Sequence, residues 1–340
     1  MPADRKIGYA VVGLGSIAKT SVLPAFKRCR YAKLIAVIGR DKKKARSYAK
    51  QFKAKAAFGV ADYADCLSNP DISAVYVATP QGAHLEFCVL AAQLGKHVLC
   101  EKPLAATVRQ AEAIVDACRA NGVRLMTAYR KYFEPSALYV RKLVQDGALG
   151  RVDTVHTAFS ELHVAGRSLE WLLDKQTAGG GPLMDLGVYC TNTCRWILGE
   201  DPVEATAQAW QNDKRRFHEV EEGITFRLRF PSGLILHGST SYGAVLSSCV
   251  FIQGTKGWLS LAPAFPFDEP RLVTGKINGK WLEKRFNVID EFAPEIDAFA
   301  RAIQKMSPIE PDGVQGLRDM KILHSIYEAA RIHRSIAIRY

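Results

Sequence analysis

The 340 residues exceed what one compact core accommodates and suit two domains of ordinary size. With 48% apolar and 24% charged residues the composition excludes a disordered chain, and no apolar run approaches the roughly 18 residues of a membrane-spanning helix. The net charge of +12 resides in the first 130 residues, which hold 21 Lys+Arg against 9 Asp+Glu, with eight of the basic residues between Arg40 and Lys55.

In chain order, short apolar runs at Ile7–Val12, Lys33–Ile38, Ala74–Ala78, His97–Leu99 and Arg124–Thr127 read as strands. Helical stretches at Asp41–Phe52, Ala83–Leu94 and Val108–Ala120 alternate with them, and Asn121-Gly122 ends the last as a helix stop. That alternation predicts a parallel sheet wound with helices. After residue 130 the pattern predicts a helix near Glu134–Gln145, a strand at Arg151–Ser160, the turn Gly179-Gly180-Gly181-Pro182 and a helix from Leu183 to Leu198. Alternating segments follow at Glu204–Gln211, Ile224–Phe230, Leu234–Tyr242 and Cys249–Gln253, with Pro231-Ser232-Gly233 as a hairpin turn. An amphipathic helix over Gly313–His333 closes the chain.

The expected fold class is α/β followed by α+β. An N-terminal Rossmann dinucleotide-binding domain spans 1–128, and a C-terminal domain spans 129–340 around a large, mostly antiparallel open β-sheet. The terminal helix 313–333 is free to pack back on the first domain. The eight cysteines are scattered through apolar segments, and no Cys or His pair at metal spacing accompanies Cys190 and Cys194. They read as buried free thiols in a reducing compartment, with no metal site. Residues Met1 to Lys6 run into the first strand without an apolar leader, so the expected location is cytoplasmic.

Gly13-Leu14-Gly15-Ser16-Ile17-Ala18 follows the first strand and opens a helix, matching G-x-G-x-x-A. Gly13 and Gly15 allow the tight turn and the approach of backbone to a pyrophosphate. Ser16 and Ile17 lie at the helix N-terminus whose N–H groups face the anion, and Ala18 permits close helix–sheet packing. The second strand ends Gly39-Arg40 where an NAD site has a carboxylate, and Arg40 is suited to a 2′-phosphate. Lys42, Lys43 and Lys44 crowd a helix N-terminus that disfavours cations, which points to an anionic ligand and to NADP over NAD.

Thr79, Pro80 and His84 follow the third strand, and Glu101-Lys102-Pro103 follows the fourth. Both groups lie at the carboxyl ends of parallel strands, where open α/β sheets bind ligands. Asp185 and Tyr189 are four apart and share a helix face. A carboxylate, a phenol and an ammonium suit the removal of a hydroxyl proton during hydride transfer. Lys102 is expected to bring the phenol down from about 10 toward a useful general-base range.

With these motifs in view, the chain resembles the Gfo/Idh/MocA oxidoreductases over almost its whole length, closest to the glucose–fructose oxidoreductase branch. The resemblance is carried by Gly13–Ala18, Ala78–His84, Glu101-Lys102-Pro103, Tyr129-Arg130, Gly179–Tyr189 and the terminal helix, with Tyr189 where inositol dehydrogenase-like members have His. It implies that Lys102, Asp185 and Tyr189 are catalytic, that Tyr129 and Arg130 meet the nicotinamide end, and that Trp171 and Lys175 lie near the substrate. It also implies tightly bound NADP, reduced by an aldose oxidised at C1 to the lactone and reoxidised by a second sugar. Alternatives are a dehydrogenase of another polyol or of a trans-dihydrodiol, and a non-catalytic NADP or sugar sensor. The expected partners are a sugar and a second copy of the chain, joined through the C-terminal sheet, with no membrane. Nucleic acid is not expected, since the basic stretch lacks interleaved aromatics beyond Tyr48 and Phe52. His163 is a surface histidine by default, His156 and His237 are cross-strand residues, and Phe265–Phe267, Trp258 and Trp281 belong to packing or an interface.

Overall fold

A computed structural model describes residues 6–162 and 170–340. The chain divides into two compact units, residues 1–130 with 290–317, and residues 131–289 with 318–340.

The first unit is built on six parallel strands: β1 Ile7–Val12, β2 Ala32–Gly39, β3 Ala56–Gly59, β4 Ala74–Val77, β5 His97–Glu101 and β6 Leu125–Ala128, in the order β3-β2-β1-β4-β5-β6. Every residue of β1 and β4 is buried, as expected for strands with helices on both faces. The strand order reverses between β1 and β4, so the loops after these two strands flank the switch point. β3 was not expected; it is a short, half-buried edge strand of Ala56-Ala57-Phe58-Gly59, too alanine-rich to carry a strand signature.

Two further elements of this unit come from late in the chain. The helix Phe292–Lys305 packs on β1, β2 and β5 through Ile296, Phe299, Ala300 and Ile303, a helical spacing. Pro294 punctuates it like a breaker, but it sits in the first turn, where its missing N–H costs nothing. Asp290 caps the helix by accepting from Phe292 N (3.0 Å) and Ala293 N (3.3 Å). The helix Gly313–Ile332 starts in this unit, and a Cβ at Gly316 would stand 2.3 Å from Thr127 Oγ1. A single domain boundary at residue 128 therefore does not describe the chain: 290–317 counts with the nucleotide-binding unit because its buried faces complete that core.

The second unit carries a nine-stranded sheet in the order β14-β13-β12-β11-β7-β10-β9-β8-β15. Its strands are β7 Val152–Ser160, β8 Glu204–Trp210, β9 Gly223–Arg229, β10 Ile235–Ser241, β11 Ser247–Gly254, β12 Gly257–Ala262, β13 Arg271–Ile277, β14 Lys280–Phe286 and β15 Ile336–Ala337. All pairings are antiparallel except β7 with β10, which a crossover through the helix Val188–Leu198 makes parallel. β12, β13, β14 and β15 were not anticipated; β14 is an exposed, lysine-bearing strand without alternation.

Helices Pro135–Gln145 and Val188–Leu198 pack on the sheet. Elsewhere on it the rings of His156 and His237 stack at 5.1 Å, and Phe251, Trp258 and Trp281 form a chain of rings at 5.6 and 5.8 Å. Phe265 does not join them. It is fully buried beside Phe159 and Tyr189. Seven of the eight thiols are buried and Cys249 is half-buried. Among the described residues no helix is long and apolar enough to cross a membrane.

Candidate active site

In the first unit the glycine turn leaves β1 with Gly13 at φ +93°, where a Cβ would lie 2.4 Å from the Ala78 carbonyl oxygen, so no other residue fits. A Cβ at Gly15 would meet nothing within 4 Å, so the backbone there is open. Exposed Ser16 and half-buried Ile17 begin the helix and buried Ala18 continues it through a π-turn, Ala18–Val22. Gly39 has a packing role: a Cβ would lie 2.8 Å from the Leu14 side chain.

Beyond Gly39, Arg40 is exposed and has no ion-pair partner among the described residues. Asp41 is engaged otherwise, capping the next helix by accepting from Lys43 N (2.8 Å) and Lys44 N (3.1 Å). The lysines divide: Lys42 pairs with Asp62 at 2.8 Å, whereas exposed Lys44 lies over the Tyr48 ring at 5.5 Å. Lys42 is thus tied to the protein's own carboxylate.

Half-buried Thr79 and Pro80 follow β4. The Thr79 hydroxyl is buried with no hydrogen-bond partner among the described residues, beside the glycine turn. His84 corrects an expectation. Its Nε2 lies 2.8 Å from the Thr79 carbonyl and its Nδ1 3.1 Å from that of Leu104, so it ties two strand-end loops together and leaves no ring nitrogen for a cofactor. Burial lowers its proton affinity, with those carbonyls opposing.

At the end of β5, Glu101 accepts from the Tyr76 phenol (2.8 Å) and from Lys102 N (3.2 Å), which fixes the backbone carrying the half-buried Lys102. Burial raises the Glu101 carboxyl above its usual range, while Lys102, Tyr76 and Arg130 hold it down. Tyr129 is buried. Arg130 is buried too and forms an ion pair with Glu291 at 2.5 Å, so its guanidinium anchors the core of this unit rather than standing open to a nicotinamide.

The second unit builds its part around the triple glycine. A Cβ at Gly180 would lie 2.2 Å from the Tyr327 phenol oxygen, and one at Gly181 2.5 Å from the Glu221 carbonyl oxygen. The Glu221 carboxylate accepts from Gly181 N (3.1 Å), Leu183 N (3.0 Å) and the Tyr327 hydroxyl (2.8 Å), clamping the turn. Burial raises Glu221, opposed by these donors. The clamp was not foreseen; Glu221 and Tyr327 are 106 residues apart and no local pattern links them.

From residue 180 to residue 197 every side chain is buried except Asp185 and Tyr189, which are half-exposed. Asp185 sits in a π-turn, Leu183–Gly187, and accepts from the Tyr242 hydroxyl at 3.1 Å; Tyr242 is another residue the sequence did not reveal. Tyr189 begins the α-helical stretch, its ring 5.8 Å from both Phe159 and Phe265. The packing of such a segment fixes where its carboxylate and phenol stand, and these two alone on it are half-exposed. Trp171 is half-buried on a 3₁₀ turn, Glu170–Leu173. Lys175 has an exposed side chain while its N–H donates to Glu219 (3.0 Å). His163 lies outside the described residues.

Comparison with known proteins gives one answer for both units. Residues 7–129 match the family described as "Oxidoreductase family, NAD-binding Rossmann fold", and residues 137–260 match the "GFO/IDH/MocA C-terminal domain". The chain is 30% identical over 340 residues to a D-xylose 1-dehydrogenase [NADP(+)] of Haloarcula marismortui, covering 98% of this chain and 94% of that one. It is 28% identical over 345 residues to the trans-1,2-dihydrobenzene-1,2-diol dehydrogenase of Mus musculus, covering 95% of each. Among solved structures, the aldose-aldose oxidoreductase of Caulobacter crescentus complexed with glycerol superposes with a TM-score of 0.93 at 34% identity, over 98% of this chain and 100% of that one.

Proposed function

This chain belongs to the GFO/IDH/MocA oxidoreductase family, with an NAD-binding Rossmann fold and with sugar and dihydrodiol dehydrogenases among its relatives, and from that premise we propose an NADP-dependent sugar oxidoreductase that oxidises an aldose at C1 to the lactone. The observation that carries this reading is the pair Asp185 and Tyr189, the only side chains not buried between residues 180 and 197. Tyr189 takes the proton of the C1 hydroxyl, Asp185 orients the sugar hydroxyls, and Lys102 supplies positive charge to the reacting oxygen. Trp171, Lys175 and Tyr129 are the further substrate contacts of this reading. When bound, the dinucleotide supplies the acceptor of the hydrogen and electron pair leaving C1.

The residues present fit that cofactor. Gly13, Gly15, Ser16, Ile17 and Ala18 would hold its pyrophosphate, Thr79 and Pro80 would flank it, and Arg40 with Lys44 would take the 2′-phosphate. With Asp41 engaged as a helix cap, Arg40 is the group offered where an NAD site has a carboxylate. Arg40→Ala is expected to weaken NADP about 10- to 100-fold, the worth of a charge-assisted hydrogen bond, and to leave NAD within about twofold. Titrations with both dinucleotides measure this; an equal loss for both removes Arg40 from the phosphate site.

The proposed cycle keeps NADP bound while a second sugar reoxidises it. The test is the near-ultraviolet absorbance of reduced nicotinamide in purified protein given xylose or glucose and no cofactor. A rise that decays on adding a second sugar supports the cycle, a rise only with added NADP makes the protein an ordinary dehydrogenase, and silence with every aldose ends the aldose reading. A trans-dihydrodiol is the second substrate class to assay, on the strength of the murine relative.

A homodimer through the sheet is part of the proposal. Trp281 is 63% exposed at the end of the ring chain with Trp258 and Phe251, an apolar surface suited to a second copy. Trp281→Glu is expected to shift sedimentation from dimer to monomer, and an unchanged dimer places the interface elsewhere.

A further inference from the structure

Glu295 lies on the inner face of the helix Phe292–Lys305, fully buried, and neither carboxyl oxygen has a hydrogen-bond partner among the described residues. The charged and titratable groups that bear on it are Glu101 from β5, Arg130 after β6, Glu291 before its own helix, and the phenols of Tyr76 on β4 and Tyr9 on β1.

These neighbours are already bonded among themselves. Glu101 accepts from the Tyr76 hydroxyl and from Lys102 N, Glu291 holds Arg130 at 2.5 Å, and the Tyr9 hydroxyl donates to the Ile296 carbonyl at 3.3 Å. Arg130 pairs with Glu291, and the Lys102 charge bears on Glu101. A third carboxylate would add a buried negative charge with no donor on it, an arrangement proteins avoid by keeping the proton.

We infer that Glu295 is a positioning residue for the reaction: it stays protonated, so that the Glu101/Glu295 pair carries one negative charge, held on Glu101 beside Lys102. The one Tyr76 hydroxyl proton goes to Glu101 at 2.8 Å and Lys102 N adds a second bond there, while neither Glu295 oxygen accepts a hydrogen bond among the described residues, so Glu101 is the carboxyl of the two that ionises first. Burial is the main force holding the Glu295 proton, reinforced by Glu101 and Glu291, with Arg130 and Tyr76 opposing. If Glu295 ionised, the second negative charge would draw the Lys102 ammonium back toward the carboxyl pair. The inference rests on the role proposed above for Lys102.

The test compares the holoprotein with its Glu295→Gln variant, whose amide matches the neutral acid and does not titrate. In the unfolded chain Glu295 is an ordinary glutamate with a pKa of about 4.3. Because the fold raises that value, the wild type's stability relative to Glu295→Gln is fully present below about pH 4 and is lost as pH rises, by about tenfold in the folding constant per pH unit until the folded value is reached. Melting temperatures of the two proteins should therefore coincide most closely in acid and diverge toward alkaline pH, with Glu295→Gln the more stable. Infrared difference spectra at neutral pH should show a protonated-carboxyl band in the wild type that the variant lacks.

The alkaline limb of kcat should lie at higher pH in Glu295→Gln. A wild type that gains stability over Glu295→Gln as pH rises, or a missing carboxyl band, overturns the inference. So does a kcat profile superimposable on the variant's, which reduces Glu295 to packing. Should the amide prevent folding, Glu295→Met serves in the same three comparisons. Melting and infrared need no substrate, so they report on Glu295 even if the sugar activity proves wrong.

Discussion

Replacing Tyr189 by Phe is expected to remove most of kcat, about two to four orders of magnitude, while folding and cofactor affinity stay as they were. The substitution deletes one oxygen. The ring keeps its place between Phe159 and Phe265, each 5.8 Å away, and the surrounding helix is buried, so the ring packing survives the substitution. Asp185 keeps its position through the Tyr242 hydroxyl at 3.1 Å. Steady-state turnover with the best aldose, alongside a dinucleotide titration, measures both halves. Near-normal kcat in Tyr189→Phe sinks the general-base assignment and moves attention to Asp185, the other half-exposed group of that segment.

The second large effect is that of Lys102→Ala, a loss of at least about a hundredfold in kcat, comparable to removing one preorganised donor from a charge-stabilising site. Glu101 holds the backbone of this position through Lys102 N, a bond that Ala retains, so the strand end should persist and the loss should be one of charge. Lys102→Arg separates charge from shape: a guanidinium restores the charge but not its placement, and only partial recovery is expected. Turnover of Lys102→Ala at neutral pH within a few-fold of wild type would show that another group stabilises the developing negative charge.

Both predictions concern residues that could be found without coordinates, because each announces itself locally. Gly13 to Ala18 needs only a strand before it and a helix after it. Lys102 follows a strand end, and Asp185 and Tyr189 are separated by one helical turn. Sequence order alone also supplies the alternation that sorts the first 128 residues into a wound parallel sheet, since hydrophobic periodicity is a property of neighbouring residues.

What local pattern could not supply falls into two kinds. The first is how a local signal is spent. Asp41, Lys42, His84 and Arg130 all stand next to binding motifs, yet a helix N-terminus, Asp62, two carbonyls and Glu291 respectively engage them. The second is long-range partnership. The Glu221–Tyr327 clamp on the triple glycine, the Tyr242 hydroxyl on Asp185, and the helix Phe292–Lys305 that brings Glu295 into the first unit each join segments far apart in sequence.

The sequence by itself therefore determined the family, the nucleotide-binding turn and the residue types offered for chemistry, because backbone conformation and side-chain spacing act over a few residues. Tertiary structure alone decided which of those groups stay exposed and which are buried or tied down. Burial and hydrogen bonding depend on what the folded chain brings against a side chain, and those partners come from anywhere along it.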